Sequence, residues 1–178
     1  MNDGNVKSVA DAAASAATRK WIAGAIEDHD FRDDFLLSMG WCAVPVESAL
    51  HFAERDAEPI ANAAHLYGKT KLLAVLIEKM EGVQEILEVI ASKDGLLSFS
   101  RECAHFNYVL VPEDHSFAVI CTTHDYYVIA GPRPFVELAV GKTISEVRAE
   151  FQRFAEDQFW SQSDRVRLLN VYGKYGGE

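Results

Sequence analysis

Cysteine is scarce in this chain of 178 residues, which holds three: Cys42, Cys103 and Cys121. Three is an odd number, and a chain of ordinary size can build a hydrophobic core without covalent crosslinks. We therefore expect no framework of disulfide bonds.

Long apolar runs are also missing. No window of the sequence approaches the roughly 18 uninterrupted apolar residues that mark a membrane-spanning helix. The first residues, 1–21, lack the continuous apolar stretch of a secretory signal peptide. We therefore expect a soluble protein of the cytoplasm.

Basic residues are few, because 17 Lys and Arg face 27 Asp and Glu, which gives a formal net charge of −10. Nucleic acids and anionic membranes attract proteins through basic patches. Neither is therefore expected as a partner. An acidic surface does fit a basic protein partner, whose approach it would accelerate.

What the chain does contain is a globular balance, with 49% hydrophobic and 25% charged residues. This balance and the chain length predict a single domain over residues 1–178. A seam between two subdomains near 93–95 is compatible with the pattern. It would separate a helical part, 6–92, from a mixed α+β part, 95–172.

The segment 103–131 carries the strongest strand signal. Runs of apolar, β-branched and aromatic residues occupy 106–111, 117–121 and 126–130, and short polar clusters separate them. Runs of this length with polar turns between them predict an antiparallel meander of three strands. So apolar a meander needs a cover on at least one face.

Helical spacing and capping signals occupy most of the remaining chain. The helices predicted before the meander lie at 7–28, 30–39, 46–55, 60–67 and 70–92. The last of these has the clearest pattern, although Gly82 weakens it, and is the expected cover over the sheet. The elements predicted elsewhere are an edge strand at 96–101 and helices at 135–140 and 143–159, whereas 165–172 stays open between strand and helix.

The predicted fold class is therefore α+β. A helical N-terminal half packs on an antiparallel β-meander of three to four strands, and two helices follow the meander.

The tripeptide Gly-Lys-Thr occurs at 68–70 and at 141–143. A phosphate-binding loop needs a glycine five positions earlier and a preceding strand, and both copies lack them.

Two cysteine–histidine pairs fall at the same end of the predicted meander. Cys103 and His105 precede its first strand, and Cys121 and His124 follow its second. Adjacent strands lie about 4.8 Å apart, so the four side chains form a candidate tetrahedral zinc site. The spacing of Cys103 and His105 is unusual for structural zinc, and two core cysteines with two surface histidines explain the same residues more simply. Cys121 could alternatively be a nucleophile with His124 or His105 as its base, although the end of an apolar run indicates an inert thiol.

Three residues at the third strand are candidate binding residues. Tyr126 and Tyr127 alternate across the strand, so one is expected in the core and one outside. Arg133 is held between two prolines in a rigid turn, where binding groups are often found. A surface arginine paired with a nearby carboxylate is the alternative for Arg133.

The densest acidic cluster runs from Asp28 to Asp30 and continues in Asp33 and Asp34. We interpret Asp30 as the cap of a helix whose first turn carries two carboxylates, a position that the helix dipole favours. A cation site is the alternative, although the spacing matches no calcium-binding loop.

Two functional hypotheses from different classes follow. The first is a non-enzymatic protein-binding module with a basic protein as its partner. The second is a domain that binds a small molecule, or zinc, at the end of the meander that carries Cys103, His105, Cys121 and His124. Apart from that zinc ion no cofactor is expected, and no residue is assigned a catalytic role. The sequence leaves the partner, the ligand and the oligomeric state open.

Overall fold

The computed structural model describes residues 4–8, 12–49, 51–78 and 86–176. The strands in these ranges are β1 (Val6–Ser8), β2 (Ile26–Glu27), β3 (Asp30–Phe31), β4 (Cys42–Glu47), β5 (Lys71–Leu76), β6 (Ile86–Ile90), β7 (Tyr108–Val111), β8 (Ala118–Cys121) and β9 (Tyr126–Gly131). The helices are α1 (Ala12–Ala25), α2 (Asp33–Met39), α3 (Glu54–Leu66), α4 (Lys93–Cys103), α5 (Arg133–Val140), α6 (Ile144–Ala155) and α7 (Gln162–Tyr175).

One antiparallel sheet holds seven of the described strands, in the order β1-β6-β5-β7-β8-β9-β4. Its middle part is the ribbon β7-β8-β9, in which Cys121 lies opposite both Tyr108 and Tyr127. Every residue of these three strands is buried. A strand covered on both faces needs no alternation of polar side chains, which explains why these strands are continuous apolar runs in the sequence.

Helices cover both faces of the sheet and make a three-layer arrangement. α3, α4 and α5 pack on the face that carries Cys121 and Tyr127, which we call the α4 face. Side chains of α1, α2, α6 and α7 pack on the opposite face, which carries Ile120 and Val128 and which we call the α7 face. Successive residues of each strand thus belong to different cores.

The predicted fold class is wrong, because the N-terminal half is not a helical cover for a small meander. The segment 70–92 forms β5 and β6, and its residues 79–85, with Gly82, lie outside the described residues. β5 is buried from Leu72 to Leu76 between two layers of helices. An apolar run of that kind does not distinguish a strand buried on both faces from a helix.

Two further elements were assigned to the wrong class. The predicted helix 46–55 does not form as one element: its first two residues end β4 and its last two begin α3. β4 is an edge strand, the place in a sheet where a proline such as Pro45, which has no N–H to donate, is tolerated. The predicted strand 96–101 is the helix α4, which begins where Ser92 Oγ accepts the Gly95 N–H at 3.0 Å. Leu96, Phe99 and Cys103 form the buried side of that helix. The segment that periodicity left open, 165–172, lies in α7.

The edge strand β4 is covered by α6, which crosses it and joins the two cores. Ile144 and Val147 at its start belong to the core of the α4 face, and Phe151 and Ala155 at its end belong to that of the α7 face. Covering an edge strand hides backbone groups that could otherwise pair with another chain. The sheet combines strands from both sides of the seam considered near 93–95. Within the described ranges, no helix has the length and apolar character needed to cross a bilayer.

Candidate functional site

A polar cleft of about 680 Å³ opens on the α7 face of the sheet, beside the turn between β8 and β9. Its walls come from the β2–β3 hairpin, the end of β5, the β8–β9 turn and α7. The chemically active part of its lining is Asp28, His29, Glu78, His124, Arg167 and Lys174. We call it the His124 cleft.

The β2–β3 hairpin places His29 in the cleft by a tight, strained turn. Glu27 pairs with Asp30, so the two residues between them make the whole loop. Both adopt left-handed backbone angles, with φ of 48° at Asp28 and 70° at His29. This conformation costs a non-glycine residue about 1 kcal/mol or more, and Asp and Asn tolerate it best. The expected cap at Asp30 is therefore wrong, since this residue lies in a strand.

α7 forms the opposite wall because its two sides differ in polarity. Leu168, Val171 and Tyr175 recur at helical spacing and are buried against the sheet. The residues of the polar stripe that lines the cleft follow at intervals of four, three and four: Ser163, Arg167, Asn170 and Lys174.

Tyr175 connects this wall to the hairpin. Its hydroxyl donates to Asp30 Oδ1 at 3.0 Å and accepts the backbone N–H of Phe31 at 3.0 Å. Burial first, and the neighbouring Asp30 charge second, raise the pKa of Tyr175, so the hydroxyl keeps its proton. The bond fixes the distance between the hairpin and α7, and hence the width of the cleft.

Glu78 is the central acceptor of the cleft. Its Oε1 atom lies 2.6 Å from His29 Nε2 and accepts a hydrogen bond from Asn107 Nδ2 at 2.8 Å. Partial burial acts to raise the pKa of Glu78, but the hydrogen bonds from Asn107 and His29 outweigh it and hold the pKa below 4.5. Glu78 is therefore a carboxylate at neutral pH, and its Oε2 atom has no partner among the described residues.

His124 faces the cleft with a neutral ring. Partial burial and then the nearby Arg167 charge lower the pKa of His124 below its ordinary value of 6.5. Only its backbone N–H takes part in a hydrogen bond among the described residues, with Thr122 Oγ1 at 3.2 Å. The ring nitrogens are thus available to a ligand, one as donor and one as acceptor.

The four residues considered for zinc do not meet. Cys103 ends a helix rather than entering a strand, and both cysteines lie in the core of the α4 face. His105 is exposed, and His124 belongs to the cleft on the other face. Among the described residues, no three His, Cys, Asp or Glu side chains come close enough to share a metal ion.

The cysteine thiols have the properties of core residues. Burial, and to a smaller extent the Glu102 charge, raise the pKa of Cys103 to about 11. Complete burial raises the pKa of Cys121 well above its ordinary value. A nucleophilic cysteine needs an accessible thiolate, and this environment favours the protonated thiol.

The three candidate binding residues lie in three different places. Tyr126 lines the His124 cleft, and its burial raises the pKa of its hydroxyl to about 12. Tyr127 is buried in the core of the α4 face. Arg133 is exposed and pairs with Glu137 one helical turn along α5, with 3.1 Å between Nε and Oε1.

Sequence reasoning missed a buried histidine, His51, on the other side of the sheet. Its Nε2 atom lies 2.9 Å from the carbonyl oxygen of Cys103, and its Nδ1 atom lies 3.2 Å from that of Thr122. The ring stacks on Phe99 and is 0% exposed. Burial lowers the pKa of His51, although contacts with the backbone of Cys103, Thr122 and Phe106 oppose this effect. His51 thus joins the end of α4 to the end of β8 from within the core.

A second cleft, of about 550 Å³, lies beside β4 and the start of α6. Its charged groups are largely satisfied by each other. Lys142 Nζ lies 2.7 Å from Glu150 Oε1, and Arg55 Nε lies 3.7 Å from Asp56 Oδ1. Arg153 and Asp157 also line this cleft.

The surface of α2 is the other unusual feature. None of the residues of this helix is fully buried, and Leu37 is 82% exposed beside Asp33 and Asp34. Phe35 packs edge-to-face on Trp21, with 5.4 Å between ring centroids. We call the group Asp33, Asp34, Phe35, Leu37 and Met39 the α2 surface.

Comparisons with protein-family models, with curated proteins and with solved structures found no match to this chain. Its function is therefore inferred from the chemistry of its own residues.

Proposed function

We propose that this protein binds a small polar molecule in the His124 cleft. The observation that carries the proposal is a set of unsatisfied polar atoms from separate elements that meet in one recess. Glu78 Oε2 and the ring nitrogens of His124 have no hydrogen-bond partner among the described residues, and the Arg167 guanidinium lines the same recess. Polar groups that converge in a concave site are the usual means of fixing a ligand's orientation.

The size and the backbone of the cleft support the same function. Its volume, about 680 Å³, falls in the range of small-molecule sites, roughly 300–1,000 Å³. Of the four described non-glycine residues with positive φ, Asp28 and His29 line the cleft and Asp125 directly follows His124. Backbone strain of this kind is often retained at binding sites, where it aims particular side chains.

Ligand capture with a blocked variant tests the proposal. Asn170 is an exposed residue of the cleft wall, so Asn170→Trp fills the recess without disturbing the core. Asn62→Trp, at an exposed position of α3, is the matched control. Each protein is incubated with a polar metabolite extract, separated from free metabolites by gel filtration and denatured, and the released molecules are identified by mass spectrometry.

The expected result is a small polar compound retained by the wild-type protein and by Asn62→Trp, but not by Asn170→Trp. Equal retention by all three proteins would place the ligand elsewhere. The absence of any retained compound across a broad extract would contradict the proposal.

A protein-binding module remains the second candidate, and the α2 surface is the observation that favours it. The exposed side chains of Leu37 and Met39, beside the half-buried Phe35 and two exposed carboxylates, resemble the centre of a protein interface with an acidic rim. Asp33 takes part in no ion pair among the described residues, while Asp34 pairs with Arg32 at 3.1 Å. With a net charge of −10, the protein would attract a basic partner fastest at low salt.

Comparative capture tests this second candidate. Wild-type protein, Leu37→Gln and Leu66→Gln are used as baits in the same cell extract, because Leu66 is also strongly exposed, at 72%, but lies on α3. A basic protein retained by wild type and Leu66→Gln, and lost from Leu37→Gln and at high salt, is the expected result. A partner that Leu37→Gln still retains would exclude the α2 surface.

A further inference from the structure

The charges of the His124 cleft are divided between its walls. Among the described residues that line it, the cations are Arg167 and Lys174, and both lie on α7. The anions are Asp28 and Asp30 on the hairpin and Glu78 at the end of β5. The cleft therefore has a basic wall and an acidic wall that face each other.

Each wall keeps groups that are free to bind. The Arg167 side chain lines the cleft, and its recorded ion pair within the described part of the chain uses Nη2, which lies 3.0 Å from Asp164 Oδ1. On the acidic wall, Glu78 uses only its Oε1 atom for His29 and Asn107. Lys174 Nζ and Asp30 Oδ2 are 3.8 Å apart, so the two walls form an ion pair with each other at one end of the cleft.

A ligand with a single charge fits this arrangement poorly. A simple anion would meet the basic wall but face Glu78 and Asp28, and a simple cation would meet Glu78 but face Arg167. Like charges brought together in a partly desolvated site cost binding energy. A molecule with charges of both signs at separate ends is attracted by both walls.

We propose that the ligand of the His124 cleft is a zwitterion of the amino-acid type, with its carboxylate on Arg167 and its ammonium group on Glu78. This inference rests on the proposed function of the cleft. Guanidinium groups bind carboxylates through paired N–H donors, and the free Oε2 atom of Glu78 accepts from an ammonium group. His124 and Asn170 flank the ligand and supply neutral hydrogen bonds.

A matched set of ligands tests the charge pattern. The probes are glycine, 4-aminobutyrate and 6-aminohexanoate, which separate the two charges by increasing lengths, together with hexanoate and hexylamine, which each carry one charge. Dissociation constants are measured by calorimetry or by saturation-transfer NMR. The variants are Arg167→Gln and Glu78→Gln, with Lys20→Gln and Glu58→Gln as exposed controls outside the cleft. Circular dichroism verifies that every variant is folded.

The expected result is that at least one ω-amino acid binds, and that hexanoate and hexylamine bind about tenfold more weakly or not at all. Arg167→Gln and Glu78→Gln should each raise the dissociation constant of the zwitterion about tenfold, whereas the two control variants should leave it unchanged. Arg167→Lys keeps the charge but loses the paired N–H donors. Its affinity for the zwitterion should therefore lie between those of wild type and Arg167→Gln.

Two outcomes overturn the inference and leave the cleft as a binding site. One is hexanoate or hexylamine binding as tightly as the zwitterions. The other is failure of all the ω-amino acids while the metabolite extract yields a ligand that Asn170→Trp excludes. If the extract also yields nothing, the proposed function itself fails.

Discussion

His51 has two carbonyl oxygens for its two ring nitrogens, which makes it the most unusual single residue of the core. A neutral imidazole can donate only one hydrogen bond, so one of the contacts, to Cys103 O or to Thr122 O, is unsatisfied in that form. Protonation would satisfy both contacts but would bury a positive charge that has no carboxylate beside it in the described ranges. The pKa of His51 is lowered, so burial is the stronger effect and the ring is neutral at pH 7.

We predict that His51 makes the protein less stable in mild acid. Because the folded pKa of His51 lies below the ordinary value of 6.5, the unfolded chain binds the proton first as the pH falls. The contribution of His51 is therefore complete well above pH 6.5 and is lost progressively below it. His51→Gln should reduce the free energy of unfolding by about 1–3 kcal/mol at high pH, because it removes a buried ring that stacks on Phe99 and displaces the N–H that the ring donates.

Urea unfolding of both proteins at about pH 8 and about pH 5.5 measures this effect. His115 and His124 also titrate with lowered pKa values, and the comparison between the two proteins cancels their contribution. The difference in free energy of unfolding between wild type and His51→Gln should be smaller at the acidic pH. A larger difference there would mean that the ring is a buried cation held by both carbonyls.

At Gly95 the backbone of a neighbouring strand leaves no room for a side chain. A Cβ atom there would lie 2.1 Å from the carbonyl oxygen of Ile90. We predict that Gly95→Ala lowers the free energy of unfolding by about 1–3 kcal/mol, since α4 must move away from β6. Gly24, near the end of α1, has nothing within 4 Å of the same atom. Gly24→Ala should leave the free energy of unfolding unchanged or raise it by up to about 1 kcal/mol. An equal decrease in the free energy of unfolding of both variants would refute the steric explanation.

At the scale of elements, the sequence predicts the local pattern better than the pairing. The apolar runs at 106–111, 117–121 and 126–130 contain β7, β8 and all of β9 except Gly131, because short polar turns separate them. The prediction that they make up nearly the whole sheet is wrong. β5 and β6 lie in a segment whose leucines and isoleucines also satisfy helical spacing, and burial on both faces removes the alternation that would have identified strands.

The candidate site was only partly accessible to sequence reasoning, for a related reason. His124 and Tyr126 lie in the turn and strand where the meander places them, and both line the cleft. His29, Glu78 and Arg167 come from segments far apart in the chain, and only the tertiary fold brings them together. Arg167 and Lys174 share a polar stripe with Ser163 and Asn170, a signal that becomes visible only when 162–175 is assigned as a helix.

The link between the hairpin and α7 gives a prediction for these elements. Tyr175→Phe removes the hydroxyl that binds Asp30 and leaves the Phe31 N–H without its acceptor. We expect a loss of about 1–3 kcal/mol in stability, faster amide exchange in residues 26–31 and weaker ligand binding in the cleft. Tyr172→Phe is the control, because its hydroxyl accepts no contact from the hairpin and instead donates to Gln152 Oε1 at 3.1 Å. Unchanged exchange in the Tyr175→Phe hairpin would refute the link.

The whole molecule separates its chemistry by face. The α4 face is a dense apolar core that encloses both buried cysteines and His51. The α7 face carries the polar cleft, and α2 also packs on this face, outside the cleft. Ligand binding should therefore affect one layer of helices and leave the other unchanged.

An amide chemical-shift map tests this account most directly. The ¹⁵N-labelled protein is titrated with the polar metabolite extract, and shifts are followed along the chain. We predict that the shifts concentrate in the hairpin around Asp28 and His29, in the turn at 122–125 and in the cleft-facing residues of α7, while α3 and α4 stay unchanged. Shifts centred on the α4 face, or on the α2 surface without the cleft, would contradict the account.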